Sequence, residues 1–239
     1  MTRIAIGTDG TGTDGTGADG SGADGAGLGL RERKKRQTAI RIWRTAIALF
    51  AERGFDEVSV AEIAAAAEVS KMTVFNYFAT KEDLVLGPME QHIDEPARVV
   101  REAAPDVPAV AALHTHYVAA LAAFDPATGL SDQPEVTDVV RLIHRTPVLA
   151  LRAYAGFDAG ARAALTTELL ARDPEHDPLT ARVAAAQLLG TRLTLTEENQ
   201  RRMMAGDRAA DVLPEALAAA DRAFALARQG LGGYGATRS

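Results

Sequence analysis

The feature of this sequence that most constrains its fold is a pair of short predicted helices that follows a long basic helix. Ser59-Val-Ala-Glu62 is a capping-box pattern and predicts a helix that ends near Ala66. Ser70 predicts the N-cap of a second short helix over residues 71–77. This spacing is typical of a helix-turn-helix, whose second helix enters the DNA major groove. On spacing alone, an ordinary corner inside a helical bundle is an equally good interpretation.

The net charge of −6 hides a strongly basic segment next to these helices. Residues 31–53 carry eight basic side chains against two glutamates, and five of the eight lie in Arg31-Glu-Arg-Lys-Lys-Arg36. Beside a helix-turn-helix, such a cluster is typical of phosphate contact. The acidic balance of the whole chain therefore does not exclude nucleic acid as a partner.

Several other classes of protein are excluded by composition. The chain has no cysteine, which removes disulfides, thiolate metal sites and cysteine nucleophiles. No apolar run approaches the roughly 18 residues of a membrane span, so we expect no membrane partner. We also expect no metal, no cofactor and a cytoplasmic location.

The first residues form a repeat with little to bury. Four copies of small-Asp-Gly-small-Gly lie between Thr8 and Gly27, and we expect residues 1–30 to be a disordered tail. The repeat matches G-x-G-x-x-G, but a dinucleotide site needs a preceding strand and a following helix. Its four aspartates would also repel pyrophosphate, so we expect no nucleotide site there. Residues 232–239 are predicted to be a flexible C-terminus.

The remainder of the chain predicts an all-α fold. The first helix is expected from about Glu32 to Arg53, and Thr80 opens a fourth helix that Gly87-Pro88 is expected to interrupt. Further helices are predicted near residues 107–124, 134–146, 147–172, 178–205 and 211–229. The predicted domains are a helix-turn-helix domain over residues 31–86 and a larger helical ligand-binding and dimerisation domain over residues 87–231.

Residues from Ile42 to Leu84 resemble the N-terminal domain of TetR-family transcriptional regulators. The resemblance covers about 43 residues in the order and spacing of that family. It implies a homodimeric regulator with a small DNA-binding domain and a divergent ligand-binding domain. The matching positions are Ile42, Thr45-Ala46, Leu49-Phe50, Gly54-Phe55, Ser59-Val60, Glu62-Ile63-Ala64, Val69-Ser70, Thr73, Tyr77-Phe78 and Lys81-Glu-Asp-Leu84.

Apolar spacing separates the expected core of this domain from its expected DNA-facing residues. Lys71 can pair with guanine or phosphate and Asn76 with adenine, while Met72 can touch a thymine methyl group. The resemblance implies phosphate or base contacts by Thr73 and Tyr77 and a phosphate contact by Lys81. The expected core is Ile42, Ala46, Leu49, Phe50, Phe55, Val60, Ile63, Ala64, Val69, Val74, Phe78 and Leu84. The predicted DNA-binding residues are Arg31, Arg33, Lys34, Lys35, Arg36, Ser59, Ser70, Lys71, Met72, Thr73, Asn76, Tyr77 and Lys81.

Three residues depart from the family pattern. Glu68 stands where the family often has glycine, and a positive φ there would cost about 1 kcal/mol. Phe75 occupies a position that is usually tyrosine, so one expected phosphate-binding hydroxyl is missing. Met72 replaces a frequent glycine and adds bulk to the groove-facing surface.

The larger domain contains no convincing catalytic set, and the chain is not expected to be an enzyme. His114 and His116 are two residues apart and do not share a helix face, so they are poor candidates for a metal pair. An ordinary core explains any single aromatic there, but as a group these residues are the expected site of a mainly apolar ligand. That predicted pocket is Tyr117, Leu121, Phe124, His144, Leu149, Tyr154 and Phe157. The predicted dimer interface, on the last two long helices, is Val183, Ala186, Gly190, Leu193, Leu217, Ala220 and Phe224.

The leading hypothesis is a dimeric repressor that a small molecule of unknown identity releases from a palindromic operator in double-stranded DNA. Two-fold symmetry of the protein would require the palindrome. The alternatives are a helical small-molecule enzyme with an accessory helix-turn-helix, and a DNA-binding regulator that has no effector. Activation in place of repression also remains open.

Overall fold

The computed structural model describes residues 23–90, 92–175 and 177–231. Within these ranges the chain forms eleven α-helices and no β-strand, so the predicted all-α fold class is confirmed. None of the helices in the described part of the chain is long and apolar enough to cross a membrane. The helices are α1 (Ala23–Arg53), α2 (Val60–Ala66), α3 (Lys71–Tyr77), α4 (Asp83–Glu90), α5 (Glu95–Glu102), α6 (Ala109–Ala122), α7 (Pro134–Arg145), α8 (Pro147–Leu151), α9 (Phe157–Arg172), α10 (Pro178–Met204) and α11 (Ala209–Leu231).

The chain divides into two compact units, and the division falls between Pro88 and Met89. Helix α4 is continuous across this point, with Pro88 inside it. The expectation that Gly87-Pro88 interrupts the fourth helix is therefore wrong. Pro88 is the sixth of the eight residues of α4, so it removes one hydrogen bond, to the Leu84 carbonyl, and the helix ends two residues later.

The N-terminal unit is built around apolar residues that α1, α2 and α3 contribute at helical spacing. Leu49, Val60 and Val69 are only half-buried, whereas Ile47 and Val58 are buried core residues that the resemblance did not mark. The predicted core residues that are buried are Ile42, Ala46, Phe50, Phe55, Ile63, Ala64, Val74, Phe78 and Leu84. The sequence therefore identified most of the core of this unit.

The start of α1 and the presence of α5 differ from the sequence expectation. Helix α1 begins at Ala23, so residues 23–30 are helical and not part of a disordered tail. Once a helix is nucleated, each added residue gains a backbone hydrogen bond, which extends α1 despite its glycines. Helix α5 was not predicted, because it has only eight residues and its clearest signal is Pro96 in the first turn. The predicted disorder of residues 1–22 and flexibility of residues 232–239 lie outside the described residues.

The C-terminal unit has one apolar core built mainly from α6, α9, α10 and α11. Tyr117 of α6 and Phe224 of α11 are both fully buried there, with their ring centroids 6.0 Å apart. Gly129 has φ +75, and a Cβ at this position would lie 2.4 Å from the Thr196 carbonyl oxygen of α10. Only glycine therefore allows the turn that follows α6 to approach α10 so closely.

Between α8 and α9 the chain forms a π-helical turn, Arg152–Gly156. The segment from Pro147 to Arg172 was predicted as one helix, and the π turn interrupts its regular hydrogen bonding. Single π turns inside helices are rare and are frequent at functional sites.

Candidate DNA-binding site

Helix α3 presents one buried side chain and a broad exposed face. Val74 is buried in the unit, while Lys71, Met72 and Asn76 are exposed. Met72 lies near the centre of this face and is 68% exposed. At about 100° per residue, Met72 and Asn76 project away from Val74, as the sequence predicted. An exposed face on a second short helix can enter a major groove.

The start of α3 is fixed by Ser70. Its hydroxyl accepts a hydrogen bond from the Thr73 backbone N–H at 3.0 Å and lies 2.8 Å from the Thr73 hydroxyl. These contacts satisfy one exposed N–H of the first turn and hold the Thr73 side chain beside the N-terminus. Both predicted DNA contacts therefore lie at the helix end whose N–H groups and dipole favour phosphate.

The turn between α2 and α3 depends on a left-handed residue. Glu68 has φ +54, a conformation that favours glycine. The Val69 backbone N–H donates to the Ala64 carbonyl at 2.9 Å, and the Glu68 N–H donates to the Ala65 carbonyl at 3.1 Å. This closed turn sets the approach of α3 to α2, and Glu68 bears the strain that the sequence suggested.

The capping box predicted at the start of α2 is confirmed. The Ser59 hydroxyl accepts from the Glu62 backbone N–H, and the Ser59 backbone N–H donates to Glu62 Oε2 at 2.8 Å. The Arg53 guanidinium lies 2.8 Å from Glu62 Oε1. Hydrogen bonds from the Ser59 backbone and hydroxyl, together with Arg53, lower the pKa of Glu62 to about 2. Ser59 thus serves the helix cap, its hydroxyl also donates to Glu62 Oε2 at 2.7 Å, and the residue is exposed.

Lys81 lies over the aromatic end of the N-terminal core. Its Nζ is 4.5 Å from the Phe55 ring centroid and donates to the Asp56 carbonyl at 3.4 Å. Cation–π contact restrains the side chain without neutralising its charge. The geometry gives a positioned ammonium group next to the turn that follows α1.

The basic residues of α1 lie on a part of the helix that precedes the core. Arg31, Arg33, Lys34 and Arg36 are exposed and Lys35 is half-buried. Two further exposed arginines, Arg41 and Arg44, line a shallow groove of ≈ 370 Å³ on α1. These two were not among the DNA-binding residues predicted from the sequence, although they belong to the same basic segment.

Phe75 is a third residue that was not among the DNA-binding residues predicted from the sequence. It is 41% exposed, and Lys71 Nζ lies 5.8 Å from its ring centroid. The signal in the sequence that could have identified Phe75 was an aromatic residue within the second short helix. Because phenylalanine has no hydroxyl, it contributes apolar contact and support for Lys71 without donating to phosphate.

The predicted pocket residues of the C-terminal unit do not form one cluster. Tyr117 and Leu121 are buried in the core, and Phe124 packs against it. His144 and Tyr154 lie on the surface, where the Tyr154 hydroxyl is 3.0 Å from His144 Nε2. Leu149 is fully buried and Phe157 half-buried, on either side of the π turn. A ligand role for either group stays a prediction.

The predicted dimer residues divide between the two long helices. On α10, Val183, Gly190 and Leu193 are exposed and Ala186 is half-buried. On α11, Leu217 is half-buried, but Ala220 and Phe224 have no exposed surface. Assigning Ala220 and Phe224 to a dimer interface was therefore wrong, because they pack inside their own unit.

The two histidines that were rejected as a metal pair each bind a carboxylate. His114 Nε2 lies 2.8 Å from Asp221 Oδ1, and His116 Nε2 lies 2.8 Å from Glu95 Oε1. No group of three or more potential metal ligands occurs among the described residues. Both histidines instead join α6 to neighbouring helices.

Residues 42–87 match the family model described as bacterial regulatory proteins, tetR family. The chain is 31% identical over 159 residues to the HTH-type transcriptional regulator TcmR of Streptomyces glaucescens, which covers 66% of this chain and 64% of TcmR. It is 39% identical over 61 residues to the putative mycofactocin biosynthesis transcriptional regulator MftR of Mycobacterium tuberculosis, covering 26% of this chain and 31% of MftR. The chain thus spans less than two thirds of the length of these relatives.

Two solved structures share the fold. Salmonella enterica GusR matches with a TM-score of 0.52 and 20% identity, covering 81% of this chain and 95% of GusR. NalD, the secondary repressor of the MexAB-OprM multidrug efflux pump in Pseudomonas aeruginosa, matches with a TM-score of 0.50 and 18% identity, covering 80% of this chain and 97% of NalD. With the helix-turn-helix geometry, the family match and the similarity to TcmR, residues 42–87 are a DNA-binding domain of the tetR family of bacterial regulatory proteins.

Proposed function

We propose that this chain is a homodimeric transcriptional repressor that binds an inverted-repeat operator and leaves it when a small, mainly apolar molecule binds the C-terminal unit. The observation that carries the proposal is the exposed face of α3, with Lys71, Met72 and Asn76 projecting from a capped helix of a helix-turn-helix. The similarity to TcmR, a transcriptional regulator, supports the same assignment. Because the operator would lie in chromosomal DNA, we expect the protein to act in the cytoplasm.

In this proposal, base contacts and phosphate contacts are made by different residues. Asn76 offers an amide that can bind adenine at two atoms, and Lys71 offers an ammonium group for guanine. Met72 provides apolar contact, for which a thymine methyl group is the suitable partner. The proposed phosphate contacts, near the ends of the short helices and at the start of the basic segment, are Ser59, Ser70, Thr73, Tyr77, Lys81 and the cations from Arg31 to Arg36.

The exposed apolar stripe of α10 supports the homodimer. Leu179, Val183 and Leu193 are 58%, 48% and 41% exposed, and the spacing of four and three residues continues through Ala186 and Gly190. A Cβ at Gly190 would meet no atom within 4 Å, so this point on α10 is open to another helix. Packing α10 against its copy would bury the stripe and relate the two α3 helices by two-fold symmetry.

The ligand is proposed to bind at the π turn. Leu149, Tyr154 and Phe157 lie on or beside this turn, and the His144–Tyr154 pair supplies one polar contact. A site of apolar residues with few polar groups suits a mainly apolar ligand. Titration of candidate ligands against operator binding separates this proposal from a regulator that has no effector. The small-molecule class that lowers operator affinity would define the ligand.

Selection of bound fragments from random DNA tests the DNA-binding proposal. We expect the full chain to recover a short inverted repeat, and recovery of no common sequence would contradict the proposal. The recovered repeat then allows a comparison of variants on specific and random DNA. Lys81→Ala is expected to weaken both about equally, whereas Asn76→Ala and Lys71→Ala cost about 1–3 kcal/mol on the repeat and relax base preference. An equal reduction on both DNAs for all three variants would remove the base-reading role of α3.

A further inference from the structure

Helix α1 extends well beyond the part that packs into the N-terminal unit. Every residue from 29 to 38 is exposed or half-buried, and Ala39 is the first buried residue among those whose side chains are described. We call residues 29–38 the basic arm. At 1.5 Å per residue its ten residues span about 15 Å. Packing in the helix-turn-helix core does not explain a helical segment of this length.

The cations of the arm surround the helix axis. Four consecutive residues, from Arg33 to Arg36, are all basic. Because each residue of an α-helix is rotated by about 100° from the one before it, these four side chains point to every side of the helix. A helix that rests on one charged surface needs cations on one side only. Cations on every side fit a site where negative charge flanks the helix on both sides.

We propose that the basic arm lies in the major groove of the DNA that flanks each operator half-site, between the two phosphate backbones. The inference rests on the proposed function and extends the site beyond α3. A major groove about 12 Å wide accepts a helix whose diameter with side chains is about 10–12 Å. We assign the consecutive arginines and lysines of the arm to phosphate contact, so the contribution of the arm depends on the presence of flanking DNA and little on its sequence.

Other anionic partners suit the arm less well. A helix that binds a lipid surface needs an apolar face, and Leu30 is the one large apolar side chain in the arm. Residues 1–22 contain three aspartates and Arg3, too little negative charge to match five cations. A DNA duplex presents one phosphate charge for about every 1.7 Å of its axis and matches the arm along its length.

The test uses the full chain and the inverted repeat recovered by selection, in two fragments. One fragment has about 15 flanking base pairs on each side of the repeat and the other about three. The arm variant replaces four of its cations by glutamine, which keeps helix propensity; these are Arg31, Arg33, Lys34 and Lys35. The matched control replaces four exposed arginines of the C-terminal unit by glutamine, namely Arg145, Arg208, Arg222 and Arg228. The net charge falls by the same amount in both variants.

We expect the unmodified chain and the control to bind the long-flank fragment about tenfold more tightly than the short one at moderate salt. The arm variant is expected to bind both fragments alike, with a salt dependence whose slope is smaller by about 0.9 for each phosphate that the arm no longer neutralises. Equal affinity of the unmodified chain for both fragments, or equal behaviour of the arm variant and the control, would overturn the proposal. If the arm were to fail in this way, specific binding of the short fragment would still support the proposed function, whereas absence of all specific binding would remove both.

Methylation of guanine N7 in the flanking DNA tests which groove the basic arm occupies. These methyl groups project into the major groove, where guanine presents its N7. We expect flank methylation to weaken binding by the unmodified chain and to leave the arm variant unaffected. An arm in the minor groove would be insensitive to this change, and that result would overturn the placement. Circular dichroism of both variants checks that their helices remain folded.

Discussion

At the scale of single residues, the helix-turn-helix contains a residue other than glycine in a backbone conformation that favours glycine. Glu68 adopts φ +54 in the turn that joins α2 to α3. A non-glycine residue there has its Cβ close to the backbone, which costs roughly 1–2 kcal/mol. The turn persists because the buried residues on both short helices and the hydrogen bond from Val69 to Ala64 hold it closed.

Replacing Glu68 by glycine is expected to stabilise the N-terminal unit by about 0.5–1 kcal/mol. The gain is smaller than the full strain, because glycine also increases the entropy of the unfolded chain. Trp43, the one tryptophan of the sequence, lies in this unit, and its fluorescence reports urea unfolding. Glu68→Ala serves as the control, since alanine keeps the Cβ and should give no gain. A destabilised glycine variant would show that Glu68 makes a favourable contact that outweighs its strain.

At the scale of helices, a buried carboxylate joins three elements of the C-terminal unit. Glu95 of α5 accepts a hydrogen bond from Arg192 of α10 at 3.0 Å and lies 2.8 Å from His116 of α6. His92 is 3.9 Å away. Burial by itself raises the pKa of Glu95, but His116 and Arg192 outweigh it and bring that pKa down to about 2. The carboxylate is therefore charged in the folded protein at neutral pH and ties α5 to α6 and α10.

Glu95→Gln is expected to destabilise the C-terminal unit by about 2–3 kcal/mol at pH 7, because Arg192 is left without its buried anionic partner. Since folding lowers the pKa of Glu95 from 4.5 to about 2, its contribution is fully present above about pH 4.5. That contribution disappears as the pH falls through 2. Urea unfolding followed by circular dichroism at a series of pH values measures the difference between the two proteins.

The control for this prediction is Glu198→Gln. Glu198 forms an exposed ion pair with Arg201 one turn along α10, and exposed pairs of this kind contribute little to stability. We expect no measurable change for this variant at pH 7. A difference between Glu95→Gln and the unmodified protein that stays constant down to pH 2 would contradict the assigned pKa direction.

At the scale of the whole molecule, two long helices with the same apolar spacing have different partners. On α11, Leu217, Ala220 and Phe224 form an apolar stripe with a spacing of three and four residues, and Ala220 and Phe224 are fully buried inside their own unit. Phe224 packs against Tyr117 and against His114, whose ring centroid is 5.1 Å away. The stripe of α10 faces outward at Val183 and Leu193. One stripe builds the core of the C-terminal unit, and the other is the face that we propose for the homodimer.

Leu193→Glu is therefore expected to weaken dimerisation, whereas Phe224→Ala is expected to lower folding stability. In the proposed homodimer, two glutamates close to the two-fold axis would repel each other, so Leu193→Glu is expected to weaken the dimer about hundredfold, or by about 3 kcal/mol. Phe224→Ala is expected to cost about 3–5 kcal/mol of folding stability through the cavity it leaves. Light scattering over a range of concentrations measures the first effect and urea unfolding the second. Leu151→Glu, at an equally apolar exposed site on α8, should leave the dimer intact, and dissociation of that variant would undermine the role of α10.

Local patterns in the sequence predicted most of the helices and the exposed face of α3. The Ser59 box and the Ser70 cap act within one helical turn, and the spacing of Ile42, Ala46 and Phe50 repeats with the helical period. Because the interactions behind these signals join residues that are close in the chain, they can be recognised without tertiary structure. Helix α5 was missed because eight residues give too few repeats of the period, and the start of α1 because glycine weakens the helix signal.

The sequence by itself determined an all-α chain, a capped helix-turn-helix and a basic segment at its start, since propensity, capping and charge are local properties. Only the tertiary structure decided where those elements meet. Glu95 meets a partner 97 residues away, Gly129 accommodates the backbone of Thr196, and α11 packs inward while α10 stays exposed. An apolar stripe shows that a helix face will be covered but not by which partner, because spacing along the chain carries no information about contacts across it.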